Sequence, residues 1–201
     1  MNDENYGIII LAAGSSSRMG RSKQLLPVNG EPLIRLSINV ALNSGIKNVL
    51  IVLGSNAKEH REMIGGLPIQ VTYNPAWQQG MGNSLKAGVE GILRGHAKLE
   101  GVVIMVCDQP QLSAGYIKRL FDIHEETAKP IIASGYGHSV GVPAFFGNKY
   151  FPALLKLNDK QGAKQIILEN PADVHVVGFP EGLIDLDTED DYLKYIKKNQ
   201  T

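Results

Sequence analysis

Short runs of apolar, mostly β-branched residues alternate along this chain with longer stretches whose apolar positions recur every three or four residues. The short runs predict strands at about residues 7–12, 49–53, 69–73, 101–107 and 130–134, and briefer ones at about 142–146, 174–178 and 183–186. The longer stretches predict helices near 31–44, 56–64, 82–95, 113–127, 148–157, 160–169 and 188–198. Residues 49–53 read V-L-I-V-L, apolar at every position, so such strands should be covered on both faces. This alternation predicts an α/β fold: three layers, α/β/α, around a mainly parallel Rossmann-like sheet with a small antiparallel element. The helix ends carry their own signals. Pro32 falls early in the first helix, where a missing N–H costs little, and Gly45 follows its end. Thr188 with Asp191 three residues on resembles a capping box for the last helix. No repeat, low-complexity tract or linker interrupts the pattern, which predicts one domain over residues 1–201.

Composition narrows the partners. At 201 residues and 43% hydrophobic, the chain can bury a sizeable core. Lys plus Arg (20) balances Asp plus Glu (20), which excludes the broad basic field that nucleic acid or an anionic membrane would attract. Cys107 is the single cysteine, so no intramolecular disulfide forms. It follows the apolar run at 102–106, which points to packing rather than redox or metal chemistry, in a reducing cytoplasm. Residues 1–6 have no signal-peptide core, and no apolar stretch approaches the ~20 residues of a membrane span. The expected location is cytoplasmic, with neither nucleic acid nor membrane as partner.

In sheets of this kind ligands bind beyond the carboxyl ends of the strands, so the residues that follow strands are the informative ones. After the first strand, residues 11–23 read L-A-A-G-S-S-S-R-M-G-R-S-K. A glycine- and serine-rich turn lets backbone N–H groups approach phosphate oxygens, and Arg18 and Lys23 offset the charge of a triphosphate. Neither G-x-x-x-x-G-K-[ST] nor G-x-G-x-x-G is present, which disfavours a P-loop or a dinucleotide-dependent oxidoreductase. After the strand at 101–107, Asp108 in C-D-Q-P is placed to hold Mg²⁺, which takes one or two carboxylates and completes its shell with phosphate and water. Ser113 can cap the next helix, so Asp108 is not needed for that. In I-D-L-D at 184–187 a strand would project Asp185 and Asp187 to one face, and Asp187, nearer the carboxyl end, is the preferred second metal ligand. Gln79, Gly80 and Ser84 begin a helix and could meet the edge of a base, though the segment reads equally as a flexible loop with a capped helix. The glycine-rich stretch 135–143 suggests a mobile lip over a second substrate, with His138 as a contact or merely solvated. Lys160, at the start of a late helix, could touch a phosphate or simply face solvent.

Taken together, L-A-A-G-x-S-x-R-M-G-x-x-K at 11–23, L-L-P-V-x-G-x-P-L at 25–33, Q-G-M-x-x-S-L at 79–85, C-D-Q-P at 107–110 and I-D-L-D-T-x-x-D at 184–191 resemble the molybdenum-cofactor nucleotidyltransferases, cytidylyltransferase branch. The resemblance spans nearly the whole chain. The first motif is shared by many sugar and alditol nucleotidyltransferases; the C-D-Q-P turn narrows it. It implies transfer of a nucleoside monophosphate from a triphosphate to the phosphate of molybdopterin bearing molybdenum, with pyrophosphate released. It also implies transient contact with the molybdoenzyme that receives the product. By the same resemblance Leu11, Ala12, Ala13, Gly14, Ser15, Arg18 and Lys23 hold the nucleotide, with Gln79, Gly80 and Ser84 near its base. Arg18, Lys23 and Asp108 serve catalysis, and Asp108 and Asp187 bind Mg²⁺. Guanylyl-transferring relatives usually read L-A-G-G, whereas L-A-A-G is common in cytidylyl and uridylyl transfer, so Ala13 favours CTP over GTP. A GTP-using enzyme, a sugar- or polyol-phosphate nucleotidylyltransferase and a non-catalytic cofactor chaperone are the alternatives.

Overall fold

The structure is a computed structural model that describes residues 3–199. In chain order its strands are β1 (Tyr6–Ala12), β2 (Pro27–Val28), β3 (Glu31–Pro32), β4 (Asn48–Leu53), β5 (Gln70–Tyr73), β6 (Gly101–Val106), β7 (Ile131–Tyr136), β8 (Ser139–Gly147) and β9 (Val174–Gly178). Its α-helices are α1 (Leu33–Asn43), α2 (Ala57–Met63), α3 (Met81–Gly95), α4 (Ala114–Thr127), α5 (Phe151–Leu155), α6 (Ala163–Glu169) and α7 (Glu189–Asn199).

Seven strands form one sheet in the order β5-β4-β1-β6-β8-β7-β9, and β2 pairs β3 in a two-stranded ribbon. β1 lies between β4 and β6 and runs parallel to both. Only β8 is antiparallel to its neighbours β6 and β7. The expected three-layer, mainly parallel α/β fold with a small antiparallel element is what forms.

β1 is buried along its whole length, and its side chains divide between two cores. Ile8, Ile10 and Ala12 pack with Ile34, Ile38, Leu120 and Phe121 from α1 and α4. Ile9 and Leu11 pack on the other face with Leu85, Val89 and Ile92 of α3 and Leu154 and Ile166 beyond it. Ile8, Ile9 and Ile10 are each 0% exposed, worth about 2 kcal/mol apiece in transfer free energy. A third, smaller cluster joins Leu26, Val28 and Leu33 to Leu186, Tyr192 and Tyr195, fixing α7 against the ribbon. After β1 the chain adds β4 and β5 on one side and then crosses to β6 on the other, so the strand order reverses between β1 and β6. Ligands of such sheets bind beyond that point.

Helix ends follow the expected chemistry. Ser113 Oγ accepts from Tyr116 N at 3.1 Å, and Gly45 takes the left-handed conformation (φ 90) after α1. Asp191 Oδ2 accepts from Thr188 N at 3.0 Å while Asp191 N donates to Thr188 Oγ1 at 3.2 Å, a reciprocal cap.

Four expectations change. The strand at 183–186 does not form: Pro180–Leu183 is a 3₁₀ turn and 184–187 belongs to no helix or strand. That segment crosses the end of the sheet, and Leu186 N donates to Asp108 O at 3.1 Å while its side chain fills the third cluster. Pro32 precedes α1 rather than opening it, paired with Pro27 in the ribbon. The helix at 148–157 divides into a 3₁₀ turn, Asn148–Tyr150, and α5. The helix expected from 160 starts at Ala163, because Gln161 N closes a turn onto Asn158 O at 2.9 Å.

Candidate active site

Parallel pairing sets the site's frame. Leu11 on β1 faces Val106 on β6, so the loop after β1 and the turn after β6 leave the sheet side by side. Between them opens a cavity of about 350 Å³ lined by Leu11, Ala12, Ala13, Gly14 and Ser15 on one side and Val106, Cys107 and Asp108 on another. Trp77, Gln78, Gly80, Met81 and Ser84 close a third side. The volume lies at the lower end of the ~300–1,000 Å³ typical of small-molecule sites.

The loop is held from behind. Ser16 is left-handed (φ 55) and its carbonyl accepts from Met19 N at 2.9 Å. Its Oγ accepts from Lys23 N at 3.1 Å, which draws the far end of the loop back to the start. Ala13 is buried, and its carbonyl accepts from Ser55 N at 3.0 Å, so the loop is also tied to the chain after β4.

Three carboxylates and two cations meet at the mouth. Lys23 Nζ donates to Asp108 Oδ2 at 2.5 Å and to Asp187 Oδ1 at 2.9 Å. Arg18 Nη2 donates to Asp187 Oδ2 at 2.8 Å. The Lys23 side chain is 15% exposed and that of Arg18 is 69% exposed, so the lysine is fixed and the arginine is free to follow a ligand. Burial works against the Lys23 charge, but Asp108 and Asp187 outweigh it and hold its pKa above the usual lysine range. Burial likewise pushes Asp187 up, but Lys23 and Arg18 prevail and lower it. At Asp185 the balance reverses. Partial burial and the charges of Asp108 and Asp187 push its carboxyl up to about 6, and a Gln109 hydrogen bond and the charge of Lys23 lower it less.

The donor set fits a divalent cation. Asp108 Oδ1 is buried and has no hydrogen-bond partner, a hard anionic oxygen that an ion would satisfy. Among the described residues no group of three or more His, Cys, Asp or Glu side chains is placed to hold a metal by itself. Mg²⁺ takes one or two carboxylates and completes its shell with phosphate and water.

Arg18, Lys23, Asp108 and Asp187 therefore come together, although 164 positions separate Lys23 from Asp187. Of the other expected residues, Leu11 to Ser15, Gly80 and Ser84 line the cavity, and Gln79, His138 and Lys160 do not. Gln79 turns away from the cavity and accepts from Asn83 Nδ2 at 3.1 Å, and Gln78 lines the wall instead. Ser84 lines it, but its Oγ is already engaged by Asn74 Nδ2 at 3.0 Å. Gly80 has φ 134, and a Cβ there would collide with the Asp159 carbonyl, so the turn at 158–161 seats against it. Lys160, in that turn, is exposed and does not line the cavity. The lip at 135–143 is instead the tip of the β7–β8 hairpin, Gly135 pairing Val140 and Tyr136 pairing Ser139, with His138 exposed in the turn and outside the cavity. Cys107 is buried, and burial, then Asp108, push its thiol up to about 12, which disfavours the thiolate and accords with a packing role.

The sequence reading missed Gln24, Trp77, Gln78 and Met81. Trp77 had a signal, as the single tryptophan of the chain in a glycine- and glutamine-rich segment. Gln24, 1% exposed directly after Lys23, had none beyond its position.

Comparison with known proteins places the fold and the family. The chain is 31% identical over 169 residues to the purine catabolism protein PucB of Bacillus subtilis, covering 79% of this chain and 78% of that one. It is 26% identical over 189 residues to the molybdenum cofactor cytidylyltransferase of Escherichia coli, covering 92% of each. Its fold matches the crystal structure of Rv0371c from Mycobacterium tuberculosis with a TM-score of 0.81 at 27% identity, over 98% of this chain and 100% of that one. Rv0371c has also been crystallised with manganese. Among the described residues no helix is long and apolar enough to cross a membrane. The family model for the MobA-like NTP transferase domain matches residues 8–174, so this chain belongs to that family of nucleotidyltransferases.

Proposed function

We propose that this chain transfers CMP from CTP to the phosphate of molybdenum-loaded molybdopterin, releasing pyrophosphate, with Mg²⁺ as its metal and the cytoplasm as its location. The observation that carries the reaction type is the ion-pair cluster at the cavity mouth: Lys23 between Asp108 and Asp187, with one Asp108 oxygen left over. The acceptor is supported by the likeness to the Escherichia coli cytidylyltransferase over almost the full chain. The base is supported by Ala13, which stands where guanylyl-transferring relatives usually carry glycine.

The reaction asks for positioning and charge rather than covalent catalysis. An acceptor phosphate oxygen attacks the α-phosphorus in line, the α–β anhydride bond breaks, and its electron pair leaves with pyrophosphate. Residues 13–15 present backbone to the triphosphate, and Lys23 and Arg18 exchange carboxylate partners for phosphate oxygens. Asp108, with Asp187 beside it, would hold the divalent ion, which supplies Lewis-acid stabilisation of the charge on the phosphates. An ionised phosphate nucleophile needs no strong general base. Trp77, Gln78 and Met81 form the wall against which the base rests.

The test is pyrophosphate release with Mg²⁺, offering CTP, GTP, ATP and UTP separately against molybdenum-loaded molybdopterin. Release with CTP alone is expected. Release with GTP would overturn the base and keep the chemistry; silence with all four would remove the acceptor.

A further inference from the structure

Behind the loop runs a chain of hydrogen bonds that the proposed chemistry does not use. Gln24 Nε2 donates to Gly14 O at 3.0 Å and to Ala12 O at 3.5 Å. Gln24 Oε1 accepts from Ser16 Oγ at 3.1 Å and from Ser22 Oγ at 2.8 Å. Ser22 Oγ also lies 2.7 Å from His60 Nε2. A hydroxyl has one proton to give. Ser22 gives its proton to Gln24, because the amide oxygen can only accept, so His60 must donate through Nε2. That fixes the tautomer and leaves Nδ1 bare, and Nδ1 is indeed buried without a partner. His60 itself is 0% exposed on α2, in the strand-helix unit that follows the loop. A leucine would fill that space without stranding a polar atom. What the imidazole adds is the Nε2–H.

We infer that His60 is a positioning residue for the nucleotide loop. Its Nε2–H orients Ser22; Ser22 and Ser16 orient Gln24; Gln24 then clamps the carbonyls of Ala12 and Gly14. Because Lys23 N also donates to Ser16 Oγ, the same network sets where the Lys23 side chain departs. The functional consequence rests on reading residues 11–23 as the nucleotide loop, whereas the effect on loop shape does not.

Three substitutions at His60 and one at Ser22 test it. In His60→Gln the side-chain amide nitrogen falls near the position of Nε2, in His60→Asn near that of Nδ1, and His60→Leu has neither; Ser22→Ala breaks the relay with His60 in place. Nitrogen NMR of the parent should show a neutral ring protonated at Nε2. Backbone amide resonances of Gly14, Ser16 and Lys23 should move in the Leu, Asn and Ser22→Ala variants and stay near the parent's in His60→Gln. In the same order KM for the nucleotide should rise about fivefold to tenfold, with kcat changed less, and return in His60→Gln to within about threefold of the parent, the scale of one hydrogen bond. Parent-like amide resonances in Ser22→Ala, or Gln and Asn variants that behave alike, would overturn the relay and leave His60 a packing residue. Should the parent release no pyrophosphate from any nucleotide, the functional reading fails while the amide resonances still decide the relay.

Discussion

On the loop side of the cavity Gln24 has its amide nitrogen and oxygen both engaged, and Ser16 and Ser22 are held by it. Across the cavity Asp108 keeps one buried oxygen without a partner, and Asp185 is pushed up to about 6 by partial burial and by its two acidic neighbours. The two walls face opposite problems. A wall that receives an anion can be finished in advance, since backbone dipoles are fixed and the cations pair meanwhile with the protein's own carboxylates. A wall that receives a cation cannot, because Lys23 and Arg18 pair with Asp108 and Asp187 only until an ion arrives, and Asp185 beside them makes no ion pair among the described residues. Pre-organisation is thus stored in the loop, and charge imbalance in the carboxylates.

Removing the imbalance should cost most. Asp108→Ala is expected to lower turnover about 10³-fold with the fold intact, read by pyrophosphate release and by an unchanged circular dichroism spectrum. Normal turnover in that variant would sink the metal assignment. Lys23→Gln comes next, with kcat/KM down about 10²-fold. It also sharpens the contrast between walls, since Asp108 and Asp187 then lose the ammonium between them. Mn²⁺ without nucleotide should therefore raise the melting temperature of Lys23→Gln more than that of the parent; an equal response would mean these oxygens do not take the ion. Ala13→Gly acts on the finished wall alone. The ratio of kcat/KM for GTP to that for CTP should rise about tenfold, the scale on which one small pocket change discriminates. An unchanged ratio would move base choice to Trp77, Gln78 or Met81.

The same contrast explains what was legible in the sequence. β1, β4 and β6 are legible because continuous apolar runs mark buried parallel strands, and the segments after β1 and β6 stand out because ligands of such sheets bind beyond the carboxyl ends. Asp187 does stand beside Lys23, but not by the strand that the alternation at 184–187 predicts. Its segment is not a strand; one backbone bond from Leu186 to Asp108 and the burial of Leu186 bring it in. No local period encodes that crossing. That Gln78 rather than Gln79 lines the cavity is set by a short 3₁₀ turn, Trp77–Gln79, whose end at Gly80 seats against the turn at 158–161, and no local period encodes that either. His138 was drawn into a lip because glycines at 135, 137 and 141 look like a loop. They serve close packing and a tight turn: a Cβ at Gly141 would strike the Tyr136 hydroxyl, and Gly137 is left-handed (φ 58). Gln24 and His60 escaped notice because a polar side chain meant for the interior looks, in sequence, like one meant for solvent.

The smallest expected effect concerns His60 and stability. Burial, opposed only by Glu59, lowers its pKa below the usual histidine value. Above about pH 6.5 the ring is neutral in both folded and unfolded chains and contributes no pH dependence. Below that pH the unfolded chain takes up a proton that the folded chain refuses, so stability falls as the solution is acidified, until the folded pKa is reached. The slope in that window is at most about 1.4 kcal/mol per pH unit for one group, or about 3–6 °C in melting temperature for a chain of this size. His60→Gln removes the titrating group while keeping a donor toward Ser22. Melting curves between pH 7.5 and 5 should then run flatter for His60→Gln than for the parent, the two converging at neutral pH. Parallel curves would mean that the folded protein admits a proton at His60 as readily as the unfolded chain does. The interior behind the loop would then be wetter than the bare Nδ1 implies.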